Sequence, residues 1–119
     1  MVNHKELIAW QKAVALAQEV HELTSAFPRH ELFGLSAQMR RSSVSIPSNI
    51  AEGAARGSTR DFLRFLHMAR GSYAELETQL LLALQSRYIV EGALIFNRLE
   101  DVGKLLNALI MSLRRRLRG

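Results

Sequence analysis

Apolar residues recur every three or four positions along most of the chain, which is the spacing of one face of an α-helix. The clearest series lies near the end of the chain and has the spacing four, three, four, three, four: Ile95, Leu99, Val102, Leu106, Leu109 and Leu113. A second series precedes it: Phe62, Leu66, Ala69, Tyr73, Leu76, Leu80 and Ala83. No segment shows the strict alternation of a half-buried strand. The pattern therefore predicts an all-α fold.

Capping and breaking residues divide the chain into four predicted helices, at about residues 4–26, 31–55, 59–86 and 91–116. Asn3 and Ser58 are suitable N-caps for the first and third helices. Pro28 ends the first helix, because the residue before a proline leaves the helical region. Pro47 lies inside the second helix and predicts a kink or a short break there, with the flanking serines bonding the freed backbone groups.

The predicted connections are short, and short connections favour antiparallel neighbours. The sequence therefore predicts an antiparallel up-and-down four-helix bundle formed by one domain, residues 1–119.

Two predicted helices carry apolar residues outside a single face. In the first helix Leu16 and Leu23 lie opposite the main stripe, which consists of Leu7, Trp10, Val14, Ala17 and His21. In the third helix Leu63, Leu81 and Leu82 lie outside the main series. Apolar surface beyond one core face is typical of an interface, so we expect a homo-oligomer, either a closed ring or a dimer.

The chain contains no cysteine, which excludes a disulfide framework, a thiolate metal site and a thiol nucleophile. Polar residues 3–6 occupy the place of a signal-peptide apolar region, and the longest apolar block, residues 80–84, is too short to span a bilayer. We therefore expect a cytoplasmic protein without a membrane partner.

Candidate catalytic and metal-binding patterns are missing from the sequence. No histidine has a glutamate three residues before it, as di-metal helical bundles require, and no Gly-x-Ser-x-Gly or Ser-x-x-Lys motif occurs. His21 lies on the first apolar stripe and is interpreted as a hydrogen-bonded histidine of the core or of an apolar seam. The sequence predicts a protein that is not an enzyme and that uses no metal or cofactor.

The net charge of +5 indicates a polyanionic partner. Residues 1–30 and residues 61–90 each carry three Lys or Arg and three acidic residues. The surplus of positive charge therefore lies in residues 31–60 and after residue 91. Arg56, Arg60 and Arg64 form an arginine row at a helix N-terminus, which suits phosphate groups, and Arg40 and Arg41 extend this row if the second and third helices are neighbours. The candidate binding residues are Arg40, Arg41, Arg56, Arg60, Arg64, His67, Arg114 and Arg115. Two alternatives remain open. Glu52 and Arg56 are spaced as an ordinary i,i+4 ion pair, and arginines near a helix C-terminus are favoured by its dipole.

The chain resembles the four-helix-bundle proteins encoded by intervening sequences in bacterial 23S rRNA genes, also called the S23 ribosomal protein family. The resemblance covers about residues 5–90 and is strongest in residues 40–53, Arg-Arg-Ser-Ser-Val-Ser-Ile-Pro-Ser-Asn-Ile-Ala-Glu-Gly. Shorter matches lie at residues 10–13, 27–28, 38, 56–58, 62, 65–66, 71–72 and 75–80. The chain departs from the family pattern at Ala54-Ala55, where an aromatic residue and a glycine are common, and at His21, where tyrosine is common.

The resemblance implies an antiparallel four-helix bundle, favours a pentamer, and brings no catalytic residues. The ribosomal label reflects gene location. Accessory proteins of diversity-generating retroelements, a related group, bind nucleic acid and a reverse transcriptase. The sequence and the resemblance together lead to a non-enzymatic oligomer that binds nucleic acid, RNA rather than DNA. The alternative is a protein-interaction scaffold, such as an accessory subunit of a reverse transcriptase.

Overall fold

The structure, a computed structural model, describes residues 2–119 and contains four α-helices. They are α1 (Ile8–Thr24), α2 (Leu35–Ala54), α3 (Thr59–Gln85) and α4 (Leu94–Arg118), and short 3₁₀ turns at His4–Glu6 and Arg29–Glu31 precede α1 and α2. The all-α fold and the four predicted helices are confirmed. Asn3 caps the first 3₁₀ turn, not α1, through a hydrogen bond from the Lys5 amide.

The helices form an antiparallel bundle in which α1 and α3 each lie between α2 and α4. Between α2 and α3 the direction follows from two hydrogen bonds, Ser42 to Gln79 and Ser45 to Ser72, because the residue number rises along α2 while it falls along α3. Between α1 and α4, Glu19 near the end of α1 pairs with Arg98 near the start of α4. The bundle measures 49 × 24 × 20 Å, and the 27-residue α3, rising about 1.5 Å per residue, spans about 40 Å of this length. The α2–α3 turn and the end of α4 therefore lie at one end of the bundle.

The core consists mainly of leucine, isoleucine and alanine on the inner faces of the four helices. The predicted series on α3 and α4 are buried except for Tyr73 and Leu109, which are partly buried. Small residues also take part in the contact between α2 and α3. A Cβ atom added to Gly53 would lie 2.7 Å from Cβ of Phe65, so the two helices approach closely here.

Serine side chains cross the same interface. Ser45 and Ser72 are bonded at 2.7 Å, and Ser42 donates to Oε1 of Gln79 at 2.7 Å. Helix α2 continues through Pro47 without a break. The predicted break is therefore absent, and the neighbouring Ser43 and Ser48 hydroxyls bond the Arg40 and Val44 carbonyls.

The apolar face predicted for the first helix is rotated in the structure. The inner face of α1 is formed by Ala9, Ala13, Leu16, Ala17, Val20 and Thr24. Leu16, expected on a second face, is in the core, and Val14 is exposed. His21 is not a core histidine, because it is exposed, and its Nδ1 lies 2.9 Å from the carbonyl oxygen of Ala17. The alternative, a histidine of an apolar seam, stays a prediction. Small alanines allow close helix packing that a pattern of large apolar residues does not reveal.

The additional apolar residues of the third predicted helix have different positions in α3. Leu63 is buried in the core, whereas Leu81 and Leu82 are each about half exposed. Within residues 2–119, none of the helices has the length and apolar character needed to cross a membrane. The His, Asp and Glu side chains of this described region form no group of three that could hold a metal ion.

Candidate nucleic-acid interface

Three parts of the chain meet at the end of the bundle that contains the α2–α3 turn. Val2, the turn residues 57–59, Leu113 and Arg116 line one shallow pocket there. The last two turns of α4, with Arg114, Arg115, Arg116 and Arg118, therefore lie beside the start of α3. We call residues 2–15, 46–71 and 107–119 the basic end. This division passes through the Ser45–Ser72 hydrogen bond, near the midpoints of α2 and α3.

Charge is strongly segregated between the two halves. The basic end contains ten Lys or Arg and three acids, a net charge of +7, whereas the other half contains six Lys or Arg and eight acids, a net charge of −2. The net +5 of the chain thus understates the local charge. Several cations on one surface attract a polyanion and accelerate its association.

Arg56 and Arg64 are organised by one aromatic ring. Their guanidinium carbons lie 4.8 and 4.6 Å from the centroid of the Phe65 ring, close enough for cation–π interactions. Phe65 is 5% exposed but lies outside the main hydrophobic cluster. Its burial near Gly53 and the two arginines couples the helix packing to the position of both guanidinium groups.

Two acids moderate the charge of this arginine row. Arg56 pairs with Glu52 at 2.9 Å, which is the i,i+4 pair considered as an alternative, and Arg64 lies 3.8 Å from Asp61. Ser58 accepts a hydrogen bond from the Asp61 amide at 3.1 Å, so the N-terminus of α3 is already capped. These exposed pairs contribute little to stability. Arg60 is exposed in the first turn of α3.

A second cationic group lies where α3 meets α4. His67 Nδ1 is 3.1 Å from a terminal nitrogen of Arg70, and His67 Nε2 is 3.2 Å from a terminal nitrogen of Arg114. Arg70 also donates to Oδ1 of Asn107 at 3.4 Å. Burial lowers the pKa of His67, and the charges of Arg70 and Arg114 lower this pKa further. We call His67, Arg70 and Arg114 the His67 cluster.

Arg40 and Arg41 lie in the other half of the molecule. Arg40 Nε donates to Thr24 Oγ1 at 2.8 Å and so joins α2 to the end of α1, while Arg41 is exposed along the groove between α2 and α3. The expectation that they extend the Arg56 row is wrong about position. Helices α2 and α3 are neighbours, but they are antiparallel, so the start of α2 is far from the start of α3.

The structure therefore brings six of the eight candidate residues to the basic end: Arg56, Arg60, Arg64, His67, Arg114 and Arg115. Sequence reasoning missed Arg70. Arg70 lies three residues after His67, and this spacing predicts that the two side chains share a helix face. The position of Arg114 beside them depends on the register of α3 against α4.

The fold and the basic end define a helical-bundle protein with a concentrated cationic surface. Residues 5–108 match the family model described as "23S rRNA-intervening sequence protein", and the chain belongs to this family. The chain is also similar to a crystal structure of a protein with unknown function from the S23 ribosomal protein family of Bacteroides thetaiotaomicron VPI-5482. The two share 28% identity and a TM-score of 0.79, over 87% of this chain and 98% of the other. No protein with a curated description matches significantly.

Proposed function

We propose that this protein is a non-enzymatic RNA-binding module that acts as a homo-oligomer and contacts phosphates through its basic end. The observation that carries the proposal is the segregation of charge, +7 against −2, along the bundle. Because the family description refers to 23S rRNA, we choose RNA as the ligand instead of DNA.

The proposed contacts are arginine–phosphate hydrogen bonds. A guanidinium group can stack on an aromatic ring and still donate through its planar N–H groups, as the positions of Arg56 and Arg64 beside Phe65 permit. Such contacts follow the RNA backbone and carry no base information. Sequence-selective RNA binding usually stacks unpaired bases on aromatic side chains, and Phe65 is already buried. We therefore expect binding that tolerates changes in RNA sequence.

An oligomer would repeat the basic end and combine weak contacts into a stronger one. Apolar side chains available for an interface include Ile8, Leu94 and Met111, each more than half exposed.

The salt dependence of binding to single-stranded RNA tests the proposal. If about four phosphates of single-stranded RNA are neutralised per site, log K should fall with log salt at a slope of about −3. The combined change Arg56→Ala, Arg60→Ala and Arg64→Ala should weaken binding and make this slope less steep by about 2, without unfolding the bundle.

The matched control removes the same charge from the other half: Arg29→Ala, Arg41→Ala and Lys104→Ala. All three residues are exposed, and both triple variants retain a net charge of +2, since each removes three of the five net charges. The control variant should keep most of the affinity for RNA and most of the steepness with which log K falls with log salt. An equal loss of RNA affinity in the two triple variants would show that net charge alone governs binding. Undetectable RNA binding by the unchanged protein at low salt would refute the proposal.

A protein-interaction scaffold is the second candidate, and one observation favours it. Phe33 is 92% exposed in the α1–α2 connection, at the end of the bundle opposite the basic end. An exposed aromatic side chain is a common anchor in protein interfaces. If Phe33→Ser abolishes capture of a partner protein such as a reverse transcriptase while RNA binding is unchanged, the scaffold role gains support.

A further inference from the structure

We infer that the His67 cluster is a phosphate oxyanion site whose occupation is linked to protonation of His67. This inference rests on the proposed function and assigns one specific, pH-dependent contact within the basic end.

The hydrogen-bonding groups of the cluster do not match one another. A neutral imidazole accepts at one ring nitrogen and carries a proton on the other, while an arginine only donates. Both ring nitrogens of His67 face guanidinium nitrogens, at 3.1 and 3.2 Å. In either tautomer, one of the two contacts therefore sets a donor against a donor, and in the protonated form both contacts do.

The cluster also has an unbalanced charge. In the described part of the chain, no carboxylate lies within 4.0 Å of Arg70 or Arg114, whereas Arg56 and Arg64 each have an acid nearby. Among residues 2–119, the one acceptor found for Arg70 besides His67 is the Asn107 side-chain oxygen, at 3.4 Å. The cluster is thus better suited to an added anion than the Arg56 row is.

A phosphate oxygen would resolve both the donor mismatch and the charge imbalance. Its lone pairs can accept from Arg70, from Arg114 and from a protonated His67 ring, through charge-assisted hydrogen bonds. The charged groups that face His67 are Arg70 on α3 itself and Arg114 on α4, and both disfavour its protonation. An anion placed between them reverses this effect, so binding should be accompanied by proton uptake.

The ligand chemistry is a phosphate oxyanion, which either an RNA backbone or free inorganic phosphate supplies. The RNA probe is an oligouridylate with hydroxyl ends, so that no phosphate monoester titrates with the histidine. The ring signals of His67 are followed by NMR from about pH 5 to about pH 8.5, a range that spans the ordinary histidine pKa. The protein is measured alone, with the oligouridylate, and with inorganic phosphate at matched ionic strength. Loss of one signal in the His67→Gln variant assigns the resonance.

RNA should raise the pKa of His67, and RNA affinity should increase tenfold at low pH for each unit of that rise. His67→Gln should remove this pH dependence, whereas His30→Gln, which alters an exposed histidine at the other end, should leave it unchanged. The pKa is measured on the unaltered protein, and the His67→Gln variant serves there only to assign the resonance.

The outcomes separate this inference from the proposed function. RNA binding with a His67 pKa that neither RNA nor inorganic phosphate changes would overturn the inference and leave the proposed function standing, whereas no RNA binding at any pH would overturn the proposed function. A pKa rise with inorganic phosphate but none with RNA would support the oxyanion site and refute RNA as its source.

Discussion

Two helical glycines of this protein should respond oppositely to the same substitution, because one is at a helix contact and the other faces open space. At Gly53 an added Cβ would lie 2.7 Å from Phe65 Cβ and 3.2 Å from the Phe62 carbonyl oxygen. At Gly71, within α3, it would meet no atom within 4 Å. The pair therefore separates the effect of packing from the intrinsic helix preference of alanine.

The magnitude follows from these distances. Carbon atoms pack best at about 3.5–4.0 Å, and the atoms near Gly53 belong to or adjoin the α3 backbone, so Gly53→Ala must move α2 and α3 apart. Overpacking of this kind costs about 1–3 kcal/mol. The helix preference of alanine over glycine offsets up to about 1 kcal/mol, and less at Gly53 because it is the second-last residue of α2. We expect a net loss of about 1–2 kcal/mol in the free energy of unfolding.

Gly71→Ala has no such cost and should add about 0.5–1 kcal/mol. With an unfolding entropy of about 2.1 cal/mol/K per residue, 1 kcal/mol corresponds to about 4 °C in Tm for a chain of this length. Gly53→Ala should therefore lower Tm by about 4–8 °C, and Gly71→Ala should raise it by about 2–4 °C.

Thermal unfolding followed by circular dichroism, at equal protein concentration because an oligomer makes Tm concentration-dependent, provides the assay. If Gly53→Ala raises Tm as Gly71→Ala does, the close approach of α2 and α3 would be wrong, and with it the account of how Phe65 is positioned.

Two further predictions concern assembly and acid stability. Light scattering at about micromolar concentration should give a multiple of the 13.4 kDa chain mass, with five copies favoured by the resemblance; a stable monomer would refute the homo-oligomer. The pKa of Glu31 is lowered chiefly by the hydrogen bond that Tyr88 donates, so this carboxylate contributes stability above its unfolded pKa of 4.5 that is lost as the pH falls through its folded pKa. The difference in Tm between the unaltered protein and Tyr88→Phe should accordingly be largest near neutral pH and vanish below the folded pKa of Glu31. Tm is measured at a series of decreasing pH values, and a difference that stays constant would contradict this reasoning.

The helices could be predicted from the sequence because helical periodicity is a local property. The series on α4 is buried almost as the spacing indicates, with Leu109 partly exposed and Ile110 buried beside it. The orientation of α1 was less predictable. Its inner face depends on Ala9 and Ala13, whose small side chains give a weak hydrophobic signal but allow neighbouring helices to approach.

The candidate site required information that no single helix contains. Arg40 and Arg41 would extend the Arg56 row only if the start of α2 lay beside the start of α3. The two helices are neighbours, but they are antiparallel, so the start of α2 lies beside the end of α3. The His67 cluster depends on the register that places Arg114 of α4 opposite His67. Spacing along α3 can show that His67 and Arg70 share a face, and it carries no information about this register.

The helix dipole favours some arginines of the basic end at their positions and disfavours others. Arg115, Arg116 and Arg118 lie in the last turn of α4, where the helix dipole favours positive charge, so their placement is explained without a ligand. Arg60 lies in the first turn of α3, where the same dipole disfavours a cation, and Arg64 follows one turn later. The α3 arginines therefore add repulsion at the end of the bundle where the α4 arginines already concentrate positive charge. A polyanion bound across both helices would relieve this repulsion, and this makes the α3 residues the more informative ones to remove.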